Sequence, residues 1–146
     1  SYLRKNYGLV LSQAAAETAK MRIGAAVKEE ELLTMDVQGQ DQITGLPRTV
    51  TISTEDIVDA LQDSLQSVVK LVKKVLEKTP PELVADIMDR GVALTGGGTY
   101  LRGIDRYLTR QLGIPAYLVD NPRTCTALGA AKALTMLDEL KRAVKR

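Results

Sequence analysis

Asp89-Arg90-Gly91-Val92-Ala93-Leu94-Thr95-Gly96-Gly97-Gly98-Thr99-Tyr100-Leu101-Arg102-Gly103 is the stretch whose reading decides the fold of this chain. Val92, Ala93 and Leu94 form the apolar run expected of a short strand covered on both faces. From Leu101 through Ile104 and Leu108 to Leu112 the apolar positions recur with helical spacing. Three successive glycines separate strand from helix. Glycine reaches positive φ and lets a flat ring or a phosphate come close to the main chain. The free amides at the start of the following helix favour an anion or a polar ligand edge. A tight packing corner is the other reading of the same three residues.

Downstream, Gly113 reads as a helix C-cap with Ile114-Pro115 beyond it. Ala116 to Val119 then forms a strand, Asn121-Pro122 turns the chain, and a last helix runs from Thr124 through Ala127, Ala130, Ala131, Leu134 and Leu137. This strand-helix-strand-helix order predicts a βαβα unit with parallel strands. Upstream, Thr79-Pro80-Pro81-Glu82 reads as a helix start with Thr79 as cap. Before it, Ser53 and Asp56 resemble a capping box opening a long helix. Its apolar positions are Ile57, Leu61, Leu65, Val68, Val72 and Val75, and its expected end is near Lys78. Leu32 to Val37 and Arg48 to Ser53 read as two short strands joined through Gly39, Gly45 and Pro47, which predicts a small antiparallel sheet. From Gln13 to about Val27 an alanine-rich helix is expected, with Ala16, Ala19, Ile23 and Ala26 or Val27 on one face. Residues 1 to 8 read as the tail of a helix whose start lies upstream, so a piece of a longer protein is expected.

Composition excludes several classes. Twenty basic and 18 acidic side chains leave a net charge of +2, and the basic residues are not interleaved with aromatics, so nucleic acid is not an expected partner. One cysteine excludes an intramolecular disulfide, and with no Cys cluster and no histidine a zinc site is not expected. Aromatics are 3% of the chain, all tyrosine, so the core must be aliphatic. The chain has no apolar run of about 18 residues and no signal-peptide pattern at its start, which makes the cytoplasm the expected compartment.

Several motifs together resemble one family. Thr79-Pro80-Pro81-Glu82-Leu83, Asp89-Arg90-Gly91, Leu94-Thr95-Gly96-Gly97-Gly98, Leu101-Arg102-Gly103-Ile104-Asp105, Gly113-Ile114-Pro115 and Asn121-Pro122 look like the C-terminal half of the MreB/Mbl family, the bacterial actin-like proteins of rod shape. Tyr2-Leu3-Arg4-Lys5, Ala16-Glu17-Thr18-Ala19-Lys20, Ile23-Gly24 and Gly45-Leu46-Pro47-Arg48 agree with it. The run Leu11-Ser12-Gln13-Ala14 departs from it, since a Gly-Glu pair is usual there.

The resemblance implies an α/β fold: part of the second lobe of an actin-like, ribonuclease H-like ATPase, with a small outer α+β subdomain. Residues 1–27 and 54–146 would form the inner subdomain and 28–53 the outer one. It implies ATP or ADP with Mg2+ as cofactor in a full-length parent, held only weakly or not at all by this piece. The implied nucleotide contacts are Glu17, Thr18, Lys20, Gly96, Gly97, Gly98, Thr99 and Tyr100. Glu17 would accept hydrogen bonds from ribose hydroxyls, and Lys20 would flank the base or sugar. Their alternative reading is an ordinary exposed helix pair contributing roughly 0.2 to 0.5 kcal/mol. No catalytic residue and no metal ligand is assigned to this chain, because γ-phosphate positioning, magnesium binding and water orientation come in the family from elements outside it. Cys125 reads as a buried structural thiol, no histidine being present to act as its base. Implied partners are further copies of the protomer in filaments, membrane proteins of cell-wall elongation, and the inner membrane surface reached through the parent. The basic end, Lys141, Arg142, Lys145 and Arg146 among Leu137, Leu140 and Val144, reads as a solvated terminus, with an anionic membrane contact as the alternative. Two other classes are weighed: a non-enzymatic self-associating module, and a fragment of a chaperone or sugar kinase of the same fold, which the Arg48 turn and the Thr79-Pro80-Pro81-Glu82 run disfavour.

Overall fold

The computed structural model describes residues 2–28 and 30–137. Helix α1 (Tyr2–Tyr7) leads into a two-residue strand β1 (Leu9–Val10), helix α2 (Gln13–Ile23), strands β2 (Thr34–Asp41) and β3 (Pro47–Ser53), and the long helix α3 (Thr54–Glu77). Helix α4 (Pro81–Arg90), strand β4 (Val92–Leu94), a 3-10 turn (Gly97–Tyr100), helix α5 (Ile104–Leu112), strand β5 (Ala116–Leu118) and helix α6 (Cys125–Thr135) complete it.

Two sheets organise these elements. β1, β2 and β3 form an antiparallel sheet, with Met35 opposite Ile52 and Val37 opposite Val50. Alternation along β2 and β3 turns those four side chains inward. Strand β1 was not expected, because two residues carry no periodicity; it exists through its pairing with Gln40 and Asp41. That pairing requires Gly39, where a Cβ would stand 2.6 Å from the Val10 carbonyl oxygen. The second sheet pairs β4 with β5 in parallel, Val92 opposite Ala116 and Leu94 opposite Leu118, as the βαβα order predicts.

Two apolar clusters hold the layers together. Leu9, Ala19, Ile23, Val37, Ile52 and Ile57 join the antiparallel sheet to α2 and the start of α3. Ala26, Leu65, Val69, Ile104, Tyr107 and Leu108 join the middle of α3 to α5. Leu61 packs against both.

The capping box at Ser53 is present in full: Ser53 Oγ accepts from the Asp56 amide and Asp56 accepts from the Ser53 amide. Gly113 takes the left-handed conformation at the end of α5, φ 70° and ψ 16°. Elsewhere the structure corrects the sequence. Thr79 does not cap α4; its hydroxyl donates to the Val75 carbonyl at 2.8 Å, and Pro80 stands at the cap with Pro81 at the first helical position. Helix α2 ends four residues early, because Gly24 caps it and Ala25 and Ala26 leave to pair with Arg102. Ala16 is exposed, and Ala19 and Ile23 alone of its expected face are buried within the helix. Ala93 is exposed, so β4 is covered on one face rather than two among the described residues. The helix expected from Leu101 begins only at Ile104, after the 3-10 turn over Gly97–Tyr100. Cys125 is half-buried rather than buried, its thiol donating to the Pro122 carbonyl at 3.3 Å. The basic end beyond Leu137 lies outside the described residues.

Candidate functional site

Helix α2 and the glycine turn face each other across one cleft of about 920 Å³. Ser12 starts α2, its hydroxyl accepting from the Ala15 amide at 3.2 Å. This is the position where the run Leu11-Ser12-Gln13-Ala14 departs from the resembled family, and a serine N-cap satisfies the helix start by itself. From that start, Glu17, Lys20 and Met21 fall on one ridge at spacings of three and four and line the cleft.

The opposite wall is the turn. Gly96, at φ 89°, redirects the chain out of β4, and its amide donates to the Pro122 carbonyl at 2.7 Å. The Thr99 hydroxyl closes the turn by donating to the Gly96 carbonyl at 2.7 Å. Leu101 and Gly103 then lead into α5, Gly103 adopting the left-handed conformation. A Cβ at Gly97 or Gly98 would meet nothing within 4 Å, so the space before both residues is open.

Of the residues singled out in the sequence, Glu17, Lys20, Gly97, Gly98, Thr99 and Tyr100 line this cleft. Thr18 and Gly96 do not. The Thr18 hydroxyl turns back to the Ala14 carbonyl at 2.9 Å, and Gly96 lies behind the turn against Pro122. Glu17 and Lys20 do not pair with each other; the ion pairs among the described residues join Lys28 to Glu55 and Arg48 to Asp41. The pair is thus available to a third group. Tyr100 stands at the rim, 61% exposed. Arg123, unmarked in the sequence, also reaches the cleft. It enters from the segment between β5 and α6, and only the Asn121-Pro122 turn ahead of it hinted at that return.

The floor is apolar, made by Leu61, Leu65, Leu94, Ile104 and Leu108. An apolar floor with an acidic acceptor, two cations and open backbone at its rim suits a ligand that has a flat apolar body and polar edges. The described residues include no group of three or more His, Cys, Asp or Glu arranged to hold a metal ion. No helix of the described residues is long and apolar enough to cross a membrane.

The family model for the MreB/Mbl protein matches residues 1–142. The chain belongs to the MreB/Mbl family. The cell shape-determining protein MreB of Escherichia coli K12 is 43% identical over 138 residues, which cover 94% of this chain and 40% of that protein. The cell shape-determining protein Mbl of Bacillus cereus is 40% identical over 146 residues, 99% of this chain and 44% of its own. This MreB/Mbl chain thus spans less than half the length of those relatives. Crystal structures of MreB5 of Spiroplasma citri resemble it at 32% identity: TM-score 0.90 for the form bound to AMPPNP, over 97% of this chain and 43% of that one, and 0.87 for the form bound to ADP, over 99% and 43%. The MamK double helical filament, at 17% identity and TM-score 0.68, shares the fold. The architecture is part of an actin-like α/β fold.

Proposed function

We propose that this chain supplies the adenosine-holding part of the nucleotide site of a bacterial actin-like cytoskeletal ATPase of the MreB type. The observation that carries the reading is that Glu17 and Lys20 on α2 and Gly97 to Tyr100 on the turn flank a single cleft. The nucleotide-bound MreB5 structures support it, since each matches nearly the whole of this chain. In this reading the adenosine of ATP or ADP lies between the two walls. Glu17 accepts from the ribose hydroxyls, an ionised carboxylate being an acceptor only. Lys20 and Arg123 flank the sugar or base, and Gly97 and Gly98 let the ring approach the backbone.

Hydrolysis requires γ-phosphate positioning, a magnesium ion and a group that orients the attacking water. We assign none of these to this chain, so the isolated piece binds nucleotide weakly and does not turn it over. In a longer parent the site belongs to a protein that polymerises beneath the membrane, in the cytoplasm, and works with membrane proteins of cell-wall synthesis to set rod shape. Titrating a fluorescent ADP analogue against the chain, with and without Mg2+, tests the site. Saturable binding that unlabelled ADP displaces supports the reading, and its absence counts against it. An isotope-release assay showing ATP turnover well above buffer would overturn the assignment of no catalytic group.

A second reading, a self-associating assembly module, has its own observation. Helix α6 has no buried residue, and Leu128 and Leu134 are 55% and 72% exposed. Apolar faces of this kind mark contact surfaces. Light scattering at increasing chain concentration, with and without ADP, separates the two: mass growth independent of nucleotide favours the module.

A further inference from the structure

We infer that Arg102 sets the separation of the two cleft walls, as a positioning residue acting through the C-terminal end of α2. The inference rests on the nucleotide reading above and adds the residue that holds its geometry.

Arg102 does not line the cleft. It sits behind it, two residues after Tyr100, where the turn gives way to α5. Its Nε donates to the Gly24 carbonyl at 3.2 Å and its Nη2 to the Ile23 carbonyl at 3.3 Å. These are among the last carbonyls of α2, which lack helical partners and carry the negative end of the helix dipole. The same Nη2 reaches Thr54 Oγ1 at 3.4 Å. Thr54 is fully buried, is the first residue of α3, and exchanges hydrogen bonds with Leu33. One planar guanidinium therefore ties three segments together: the end of α2, the start of α3 and the exit of the glycine turn.

The backbones interlock at the same point. The Ala26 amide donates to the Arg102 carbonyl at 2.8 Å, and Ala25 bridges Arg102 in parallel. No side chain fits between the segments. A Cβ at Gly24 would lie 2.1 Å from the Lys20 carbonyl oxygen and 3.2 Å from Leu101, and a Cβ at Gly103 would lie 2.7 Å from Val27. Lys20 stands about one helical turn, roughly 5.4 Å, before this junction. A shift at the junction is thus transmitted to both walls, through α2 to Glu17 and Lys20 and through two residues to Tyr100. Arginine suits the task because its fixed fork spans two carbonyls and a hydroxyl, whereas the lysine ammonium is a single point charge.

The test compares the chain with Arg102→Lys and Arg102→Leu by amide hydrogen exchange without nucleotide, then by titration with the fluorescent ADP analogue. In Arg102→Leu, exchange at the Ala26 and Leu101 amides accelerates about tenfold or more, Leu65 and Val69 in α3 keep their protection, and ADP affinity falls about tenfold. Arg102→Lys recovers part of both losses. Unchanged exchange at Ala26 and Leu101, or acceleration spread equally through α3, overturns the inference. So does unchanged ADP affinity alongside loosened exchange. A wild-type chain that binds no ADP while the exchange pattern holds refutes the nucleotide reading itself and with it the positioning role, leaving Arg102 a structural clamp only.

Discussion

Asp41 shows how much one carboxylate does at the tip of the β2–β3 hairpin. It accepts from the Ile43 and Thr44 amides, both at 2.9 Å, and pairs with Arg48, whose other nitrogen holds the Tyr7 carbonyl. Hydrogen bonds from the Thr44 and Ile43 amides, with help from Arg48, lower its pKa from 3.8 to about 2. A carboxylate with a depressed folded-state pKa stabilises the fold above its unfolded value and loses that contribution as pH falls through the folded one. The stability of the chain, followed by urea denaturation, therefore declines between about pH 4 and pH 2, and Asp41→Asn flattens the decline. Tyr7 works with the opposite sign. Its hydroxyl donates to Asp56 at 2.8 Å, which, with burial, raises its pKa to about 12. The stabilisation it brings is present below about pH 10 and lost as pH rises through about 12, a loss that Tyr7→Phe abolishes. Burial opposes the charge on Asp56, but the Ser53 amide and the Tyr7 and Ser53 hydroxyls outweigh it, so its pKa is lowered. At the cleft, Glu17→Gln removes a charged acceptor and weakens ADP binding by about tenfold, with no change in melting temperature beyond that of an exposed substitution.

Among the elements, the junction of the glycine turn with α5 offers a sharp test. Gly103→Ala forces a Cβ into a left-handed position against Val27, and urea denaturation should show a loss of more than about 1 kcal/mol. Gly97→Ala, with nothing near its Cβ, should leave stability nearly unchanged and weaken ADP alone. The contrast separates a glycine required by packing from one proposed to meet the nucleotide. It also explains what the sequence disclosed. The capping box at Ser53, the left-handed Gly113 and the long apolar stripe of α3 are set by neighbours within a few residues, so they were readable. The early end of α2, the two-residue β1 and the arrival of Arg123 at the cleft depend on partners tens of residues away. Thr79 misled because a threonine before two prolines suits a helix start as well as it suits bonding back to Val75 at a helix end. In the cleft, the facing of Glu17 and Lys20 against Gly97 to Tyr100 was anticipated through family resemblance, since spacing alone left the pair as an ordinary surface feature. Thr18 and Gly96 came with the same motifs and point elsewhere.

At the scale of the whole molecule, the described residues form two apolar centres, one under the antiparallel sheet and one between α3 and α5, and both lean on Leu61. Its surface is less complete. Leu71, Val75, Leu83, Met88, Leu128 and Leu134 are each more than half exposed, so we expect association that strengthens with salt and weakens on replacing Leu128 and Leu134 with Glu, read by sedimentation velocity. The shared leucine has a thermal consequence. Neither centre can melt and leave its neighbour intact, because the first to open strips methyl groups from the second. A calorimeter heating this protein should record a single endotherm, and trimming that one side chain to alanine should broaden or split it.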